Sequence, residues 1–541
     1  MQRSQGPGLT ILGLIASLLL VAGLVGVGAY VLLRGEKEEA SVAATAEEPA
    51  APAGEGLVDA LSEVPRLDPP KAYAPKDGIV EVELSEYAGY AGLVAANGGL
   101  APSDASWFAQ KHGFKVKLTL SEEESWSRLN RGELAASATT VDVLAAYGKQ
   151  FDVVVPAQIA FSRGADGIVV RSDVKRLNDL KGKTVVAAQF TEAEFFLRYL
   201  AQEAGIPVQV GGASPDGIGV VFAEDAFTAG DVFLADMDRY AGCVTWEPKT
   251  SEVVAASGGK AHVLATNRNL LVIADILVVN RGFAQANPAI VAGLVDGLLE
   301  GNRRVRAGGE REVVARAFGW DAAKTEAELA KVHLSNHPEN LAFFSGAIDM
   351  AGSFGGIFQS AVYAYGRGVV REAIDPARFV DVSHLEAQKG AYADQVVEIA
   401  PIRQAAGTVE QDPLLSKDIR FLFEPNSSKL DMQDAGNLAR LADLKRLLQV
   451  SPGSTVLLRG HVDDGMVPEF RKQGGEAFVR QMALKAVELS RNRAAEVERQ
   501  LVATHGVDDA RVETVGLGWD EPAGKVPEEN RRVEVQWFTV E

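Results

Sequence analysis

Hydrophobic and polar positions change rhythm several times along the chain. From Gly8 to Leu33, "GLTILGLIASLLLVAGLVGVGAYVLL", no side chain is charged. At about 1.5 Å per residue this stretch can cross a hydrocarbon core of about 30 Å, and it predicts a membrane-spanning helix. Arg34, Glu36 and Lys37 follow it directly rather than a small-residue cleavage site, which favours a retained anchor over a signal peptide. Residues 36–76 are rich in Ala, Glu and Pro and predict a disordered linker. Within that linker Leu57, Val58, Leu61 and Val64 stand at helical spacing, the one segment expected to dock.

From Gly78 to about Gln395 short β-branched runs alternate with helical segments. The runs are "VEVELS", "KVKLTL", "DVVVPAQIA", "GIVVRS", "KTVVAAQ", "HVLATN" and "ILVVN". Strands between helices predict βαβ units and mainly parallel sheets, in an α/β unit too long for one sheet and therefore two-lobed. After Val397 a connector leads to a smaller α+β unit. It predicts strands at Ile419–Phe423, Thr455–Arg459, Arg511–Gly516 and Arg532–Phe538, and helices near Gln433–Gln449 and Ala483–His505. Val487, Ser490, Ala494, Val497 and Leu501 mark the buried stripe of the second helix, with Arg493 at its rim. The boundaries are thus anchor 1–35, linker 36–76, first folded unit 77–396, connector 397–416 and second folded unit 417–541.

Charge and cysteine content narrow the partners. A net charge of -19 repels phosphate backbones, and no basic, aromatic-rich cluster offsets it, so nucleic acid is not an expected partner. The single cysteine, Cys243, excludes an internal disulfide. The apolar span lacks any ionisable residue, which argues against proton conduction and leaves the lipid bilayer as its partner.

The stretch "LRGHVDDG" (Leu458 to Gly465) carries candidate chemistry. His461 and Asp463 project from one side of a strand end, while Asp464 points elsewhere. Zinc needs three or four ligands, and only His505 is added by this unit, so no metal is expected. A strand-end carboxylate that caps its own turn remains an alternative. With "FLFEPNSSKL", "ELSRNRAAEV", "GLGWDEP" and "NRRVEV", the stretch makes residues 417–541 resemble the OmpA-like peptidoglycan-binding family. The resemblance implies that Asp463 and Arg493 hold the diaminopimelate of peptidoglycan stems. A carboxylate suits its ammonium, and a guanidinium fork suits its carboxylate. Three features depart from the family pattern: Ala486 replaces a usual Asn, Val462 replaces Thr or Ala, and Met466–Gln481 is inserted. The two arginines of "NRRVE" read as structural.

"ELSEYAGYAGL", "SATTVDVL", "FSRGADGIVV", "AGCVTWEP" and "ILVVNRGFAQANP" follow the order seen in periplasmic solute-binding proteins of the nitrate, sulfonate and taurine ABC-transporter type. That resemblance implies a type II two-lobed fold that closes on a small-molecule solute, with an ABC permease as a partner. Its cleft is expected to be lined by Tyr87, Tyr90, Thr139, Thr140, Thr191, Trp246 and Asp275. Thr139 and Thr140 are expected to start a helix, and Thr191 with Glu194 to form a capping box. Helix caps and core aromatics remain the alternative for these residues. Glu192 and Glu194 would repel an anion at that helix start; Glu86, Glu247 and Asp275 add to the acidity, and Arg163 is the nearest basic candidate. The expected solute is therefore neutral, zwitterionic or cationic rather than a simple anion. His333 and His337 stand a helical turn apart without the acidic neighbour of a metalloprotease motif. No catalytic constellation and no cofactor motif appears, so no enzyme is expected.

The reading is an envelope protein of the bacterial inner membrane, single-pass with its amino terminus cytoplasmic and its bulk periplasmic. It would bind peptidoglycan at one end and present a solute-binding module for uptake or sensing. The alternative is a structural tether whose two-lobed unit binds a protein partner or nothing.

Overall fold

A computed structural model describes residues 56–121, 126–347, 352–370, 374–399, 413–424, 427–451 and 453–539. The predicted span Gly8–Leu33 lies outside them; among the described residues no helix is long and apolar enough to cross a membrane. The first strands are β1 (Leu57–Val58), β2 (Ile79–Leu84), β3 (Lys115–Leu120), β4 (Ala136–Thr140) and β5 (Val153–Ser162). There follow β6 (Asp166–Arg171), β7 (Thr184–Ala188), β8 (Val208–Val210), β9 (Ile218–Ala223), β10 (Gly242–Trp246) and β11 (Ala261–Thr266). The chain then forms β12 (Ala274–Asn280) and β13 (Val332–Leu334), and the last unit holds β14 (Leu415–Ile419), β15 (Thr455–Gly460), β16 (Val512–Gly516) and β17 (Val533–Phe538).

Two sheets carry the two lobes. Lobe 1 has the order β13-β5-β12-β4-β2-β3, and lobe 2 the order β1-β9-β7-β10-β6-β11 with β8 beside β9. In lobe 1, β12 lies antiparallel between β4 and β5; in lobe 2, β6 lies antiparallel between β10 and β11. Each inserted strand is the first to return from the other lobe, so both sheets are completed by a crossover. The result is a two-lobed α/β fold whose sheets are mixed and not mainly parallel as expected. Every apolar run predicted in this region forms a strand. The strands "ASATT" (β4), "IGVVFA" (β9) and "GCVTW" (β10) were not predicted; β4 is built from small and polar residues although it is buried throughout, whereas β9 is an apolar run that was overlooked.

The second half of the expected linker is structured. β1 pairs with β9, the Leu61 amide donates to Gln189, and farther on the Lys71 amide donates to the Asn130 carbonyl while Asn280 Nδ2 donates to Lys71 O. Residues 57–73 therefore cross from lobe 2 to lobe 1 as a strap. The proline-rich composition hides this, because the strap is held by hydrogen bonds from its backbone and by a few scattered apolar anchors, Leu57, Val64, Leu67 and Tyr73, rather than by a periodic apolar face.

The last unit has sheet order β14-β17-β15-β16, with β15 and β16 parallel and joined by a long helical run, Val467–His505. The expected insertion is thus helical, and the run breaks at Gly474 and Gly475, where Gly475 has φ 62°. The first strand is Leu415–Ile419 and shares only Ile419 with the predicted Ile419–Phe423, because Leu415 and Ile419 are the buried positions that register against β17. This unit rests on lobe 2. Asn178 exchanges 2.8 Å hydrogen bonds with the backbone of Ser416, and Arg446 lies 2.5 Å from the buried Glu203. Arg446→Met leaves that carboxylate without its cation and is expected to destabilise the chain by about 1–3 kcal/mol. Adding Glu203→Gln should return part of the loss in thermal unfolding; equal melting of the single and double variants would contradict the pairing.

Candidate functional site

A cavity of about 90 Å³ opens between the lobes. It lies where the open α/β arrangement favours ligands, at the carboxyl ends of parallel strands. Glu83 and Leu84 end β2, with Tyr87 and Tyr90 in the turn beyond; Thr139 and Thr140 end β4; Trp246 ends β10. Asp166 and Asp275 arrive on the two inserted strands, β6 and β12, while Glu192 opens the helix Glu192–Glu203. Trp126 completes the aromatic part of the wall.

Six of the seven residues expected in the cleft line this cavity: Tyr87, Tyr90, Thr139, Thr140, Trp246 and Asp275. Thr140 precedes the helix Val141–Tyr147 without capping it through its side chain, and Thr139 still belongs to β4. Thr191 is a correction. Its hydroxyl donates to the Ala188 carbonyl and its own carbonyl accepts from Tyr365, so it faces the core. No capping box forms there, because Glu194 accepts the Phe190 amide at 2.7 Å and pairs with Arg198 at 2.7 Å. Arg163 does not line the cavity; its Nε donates to the Arg268 carbonyl. Glu86 accepts from Trp320, and Glu247 pairs with Lys331 at 2.8 Å, so neither adds charge to the wall. His333 sits on β13 bonded to Glu339, whereas His337 begins a helix bonded to the Leu385 carbonyl, so the two do not share a helical face.

The wall is acidic. Among its described residues are Glu83, Asp166, Glu192 and Asp275, and no Lys, Arg or His. Glu83 has a countercharge in Arg128 at 2.9 Å. Asp166 accepts from Ser162 and, at 2.9 Å, from Asn267. Tyr90 reaches Asp275 Oδ1 at 3.4 Å, but Asp275 Oδ2, the Tyr87 hydroxyl and the Thr140 hydroxyl have no partner with hydrogen-bond geometry. Burial pushes Asp166 up to about 6 and, helped by the Asp166 and Asp142 charges, raises Asp275 well above the carboxylate range. Behind the wall Asp142 is fully buried, which outweighs the nearby Thr140 hydroxyl and pushes it up to about 7. Sequence reasoning missed Glu83, Asp166 and Trp126 as wall residues.

The second candidate site lies at the end of β15. A Cβ on Gly460 would stand 2.0 Å from the Ser490 carbonyl, and one on Gly516 would stand 2.4 Å from that of Val487. The glycines and the small residues Ser490 and Ala494 therefore let the long helix lie against the strand ends. That approach brings Asp463, Arg493 and Arg531 together. Asp463 accepts the Gly465 amide at 3.1 Å, and its other oxygen is 3.7 Å from Arg531. Arg493 lies over the Phe423 ring at 5.0 Å with its Nε unpartnered. Burial and the like charge of Arg531 lower the Arg493 pKa, and Asp463 opposes them. His461 instead turns inward, 3.5 Å from Glu534. Burial alone would raise Glu534, but His461 and Arg459 hold it down at about 2. Of the two arginines in "NRRVE", Arg532 is structural, bonded to Asp418, whereas Arg531 belongs to this cluster.

Residues 422–535 carry an OmpA family domain. Outer membrane protein Omp38 of Acinetobacter baumannii is 28% identical over 133 residues, 24% of this chain and 32% of that protein. The chain thus spans about a third of the length of the curated relatives it matches. The periplasmic aliphatic sulphonate binding protein SsuA from Escherichia coli is 16% identical with a TM-score of 0.43, covering 57% of this chain and 97% of that one. The periplasmic nitrate-binding protein NrtA from Synechocystis PCC 6803 is 12% identical with a TM-score of 0.43, covering 60% and 90%.

The buried acids set a pH signature. Asp142 and Asp166 hold protons in the fold at pH values where the unfolded chain, with carboxyls near 3.8, does not. Their contribution is complete below that value and is lost as pH rises through about 6 to 7. Asp142→Asn is therefore expected to raise the melting temperature at pH 8 more than at pH 5. An equal shift at both pH values would contradict the assignment.

Proposed function

We propose that the chain is a cell-envelope protein that grips peptidoglycan with its last unit and captures a small solute between its two lobes. The grip on the wall rests on Asp463 and Arg493. A diaminopimelate side chain ends in an ammonium and a carboxylate, and this cluster offers one acid beside two guanidiniums, one with an unpartnered Nε. Arg531 adds a second positive charge for the ligand carboxylate. The apolar run Gly8–Leu33 would anchor the other end in the inner membrane. Attachment at both ends confines the receptor and raises its effective concentration near membrane partners. Closure of the lobes would be the signal that an ABC permease or an envelope sensor reads.

A single observation carries the solute reading: the cavity at the carboxyl strand ends, lined from both lobes and holding buried polar atoms with no partner. The strap of residues 57–73 favours a second reading, a structural tether, since a segment bonded to both lobes restrains their hinge. Lys at 493 keeps the charge but loses the planar fork. Arg493→Lys is expected to weaken retention of the full chain on isolated sacculi by about tenfold or more. Retention equal to wild type would refute the role given to Arg493.

A further inference from the structure

We propose that the interlobe cavity selects a compact organic cation, a protonated amine whose N–H groups bond Asp275, Thr140 and Tyr87 while its charge faces the aromatic wall. The inference rests on the solute-binding reading and names the class of solute.

An acidic lining alone would not be enough, since acids also occur on walls that hold nothing. The second observation is the set of orphaned atoms. Asp275 is 2% exposed, Thr140 5% and Tyr87 8%; all three line the cavity, and each holds a buried oxygen without a partner in hydrogen-bond geometry. Buried polar atoms are ordinarily satisfied, so unpaired oxygens on three residues of one cavity wall point to a ligand. A carboxylate oxygen accepts, and hydroxyl oxygens can both accept and donate; a donor-bearing cation satisfies all three. An anion would meet Asp275 and Asp166 with no Lys, Arg or His in the described wall to offset them.

The rings point the same way. Tyr87 and Tyr90 stand edge to face at 5.2 Å, and Trp126 and Trp246 line the same cavity. Aromatic faces attract cations, and the attraction grows when the site is dry. The volume limits size: about 90 Å³ equals on the order of six to nine waters, room for an amine of a few heavy atoms. A quaternary ammonium would satisfy the rings but leave the acceptors unpaired, so a primary amine is preferred at equal size.

Calorimetric titration of the full chain tests this with ethanolamine, putrescine and choline against nitrate, ethanesulfonate and glycerol. The expected result is saturable binding of ethanolamine or putrescine, tighter than choline. Asp275→Asn should weaken it by about tenfold or more, and so should Tyr87→Phe, which removes only a hydroxyl. The Tyr87 variant keeps the test decisive if Asp275→Asn does not fold. Amine binding untouched by a folded variant would overturn the site. Binding of nitrate, ethanesulfonate or glycerol without any amine would overturn the inference and leave the solute-binding reading standing. Silence from every probe would overturn both.

Discussion

The fold depends on one knot between two crossovers. The chain leaves lobe 1 through Ser162–Asp166 and returns from lobe 2 through Thr266–Ala274, and these passages are bonded to each other. Asn267 Oδ1 accepts the amides of Gly164 at 2.8 Å and Asp166 at 3.3 Å, its Nδ2 donates to Asp166 Oδ2 at 2.9 Å, and its own amide donates to the Asp166 carbonyl at 3.1 Å. Because β6 and β12 are the inserted strands of the two sheets, this knot fixes the register of both lobes at once. It also places Asp166 and Asp275 side by side at the floor of the cleft. The electrostatic cost of those acids is therefore a consequence of the topology, and a ligand charge is the natural way to offset it.

The last unit answers to a different constraint, the distance between a helix and the ends of two strands. Gly460 and Gly516 put no side chain in the gap, and the small Ser490 bridges it by accepting the Gly518 amide at 3.0 Å. A bulkier residue at any of them would push the helix outward and carry Arg493 away from Asp463. The contacts of Asn178 and Arg446 then join this unit to lobe 2, the lobe that supplies Asp166, Glu192 and Trp246. The cluster of Asp463 and Arg493 and part of the cleft thus lie on units that are bonded to each other.

Much of this was legible in the residues, for identifiable reasons. Runs such as "KVKLTL" and "ILVVN" are β-branched and buried, so hydrophobic pattern alone located them. β4 and β10 were not, because small residues are needed where sheets are covered on both faces. Tyr87, Tyr90, Thr139, Thr140, Trp246 and Asp275 were found through resemblance, and all line the cavity. Thr191 was placed in the cleft through the same resemblance but turns to the core, and the capping box that its spacing suggests does not form because Glu194 finds the Phe190 amide and Arg198 instead. Asp166 stands in "SRGADG", where a glycine-rich turn gives no periodicity to say which way a side chain faces. Arg531 and Arg532 lie between the short helix Pro527–Asn530 and β17, where no strand or helix period says which way a side chain faces; one turns to the ligand cluster and one to Asp418.

The central claim is that the cleft carries buried acids whose charge a bound cation restores. The most direct measurement is the number of protons exchanged when ethanolamine binds at pH 6.5, obtained by calorimetry in buffers of different ionisation enthalpy. A cation beside Asp166 and Asp275 lowers their affinity for protons, so binding at pH 6.5 should release protons. Binding with no exchange, or with proton uptake, would contradict the account.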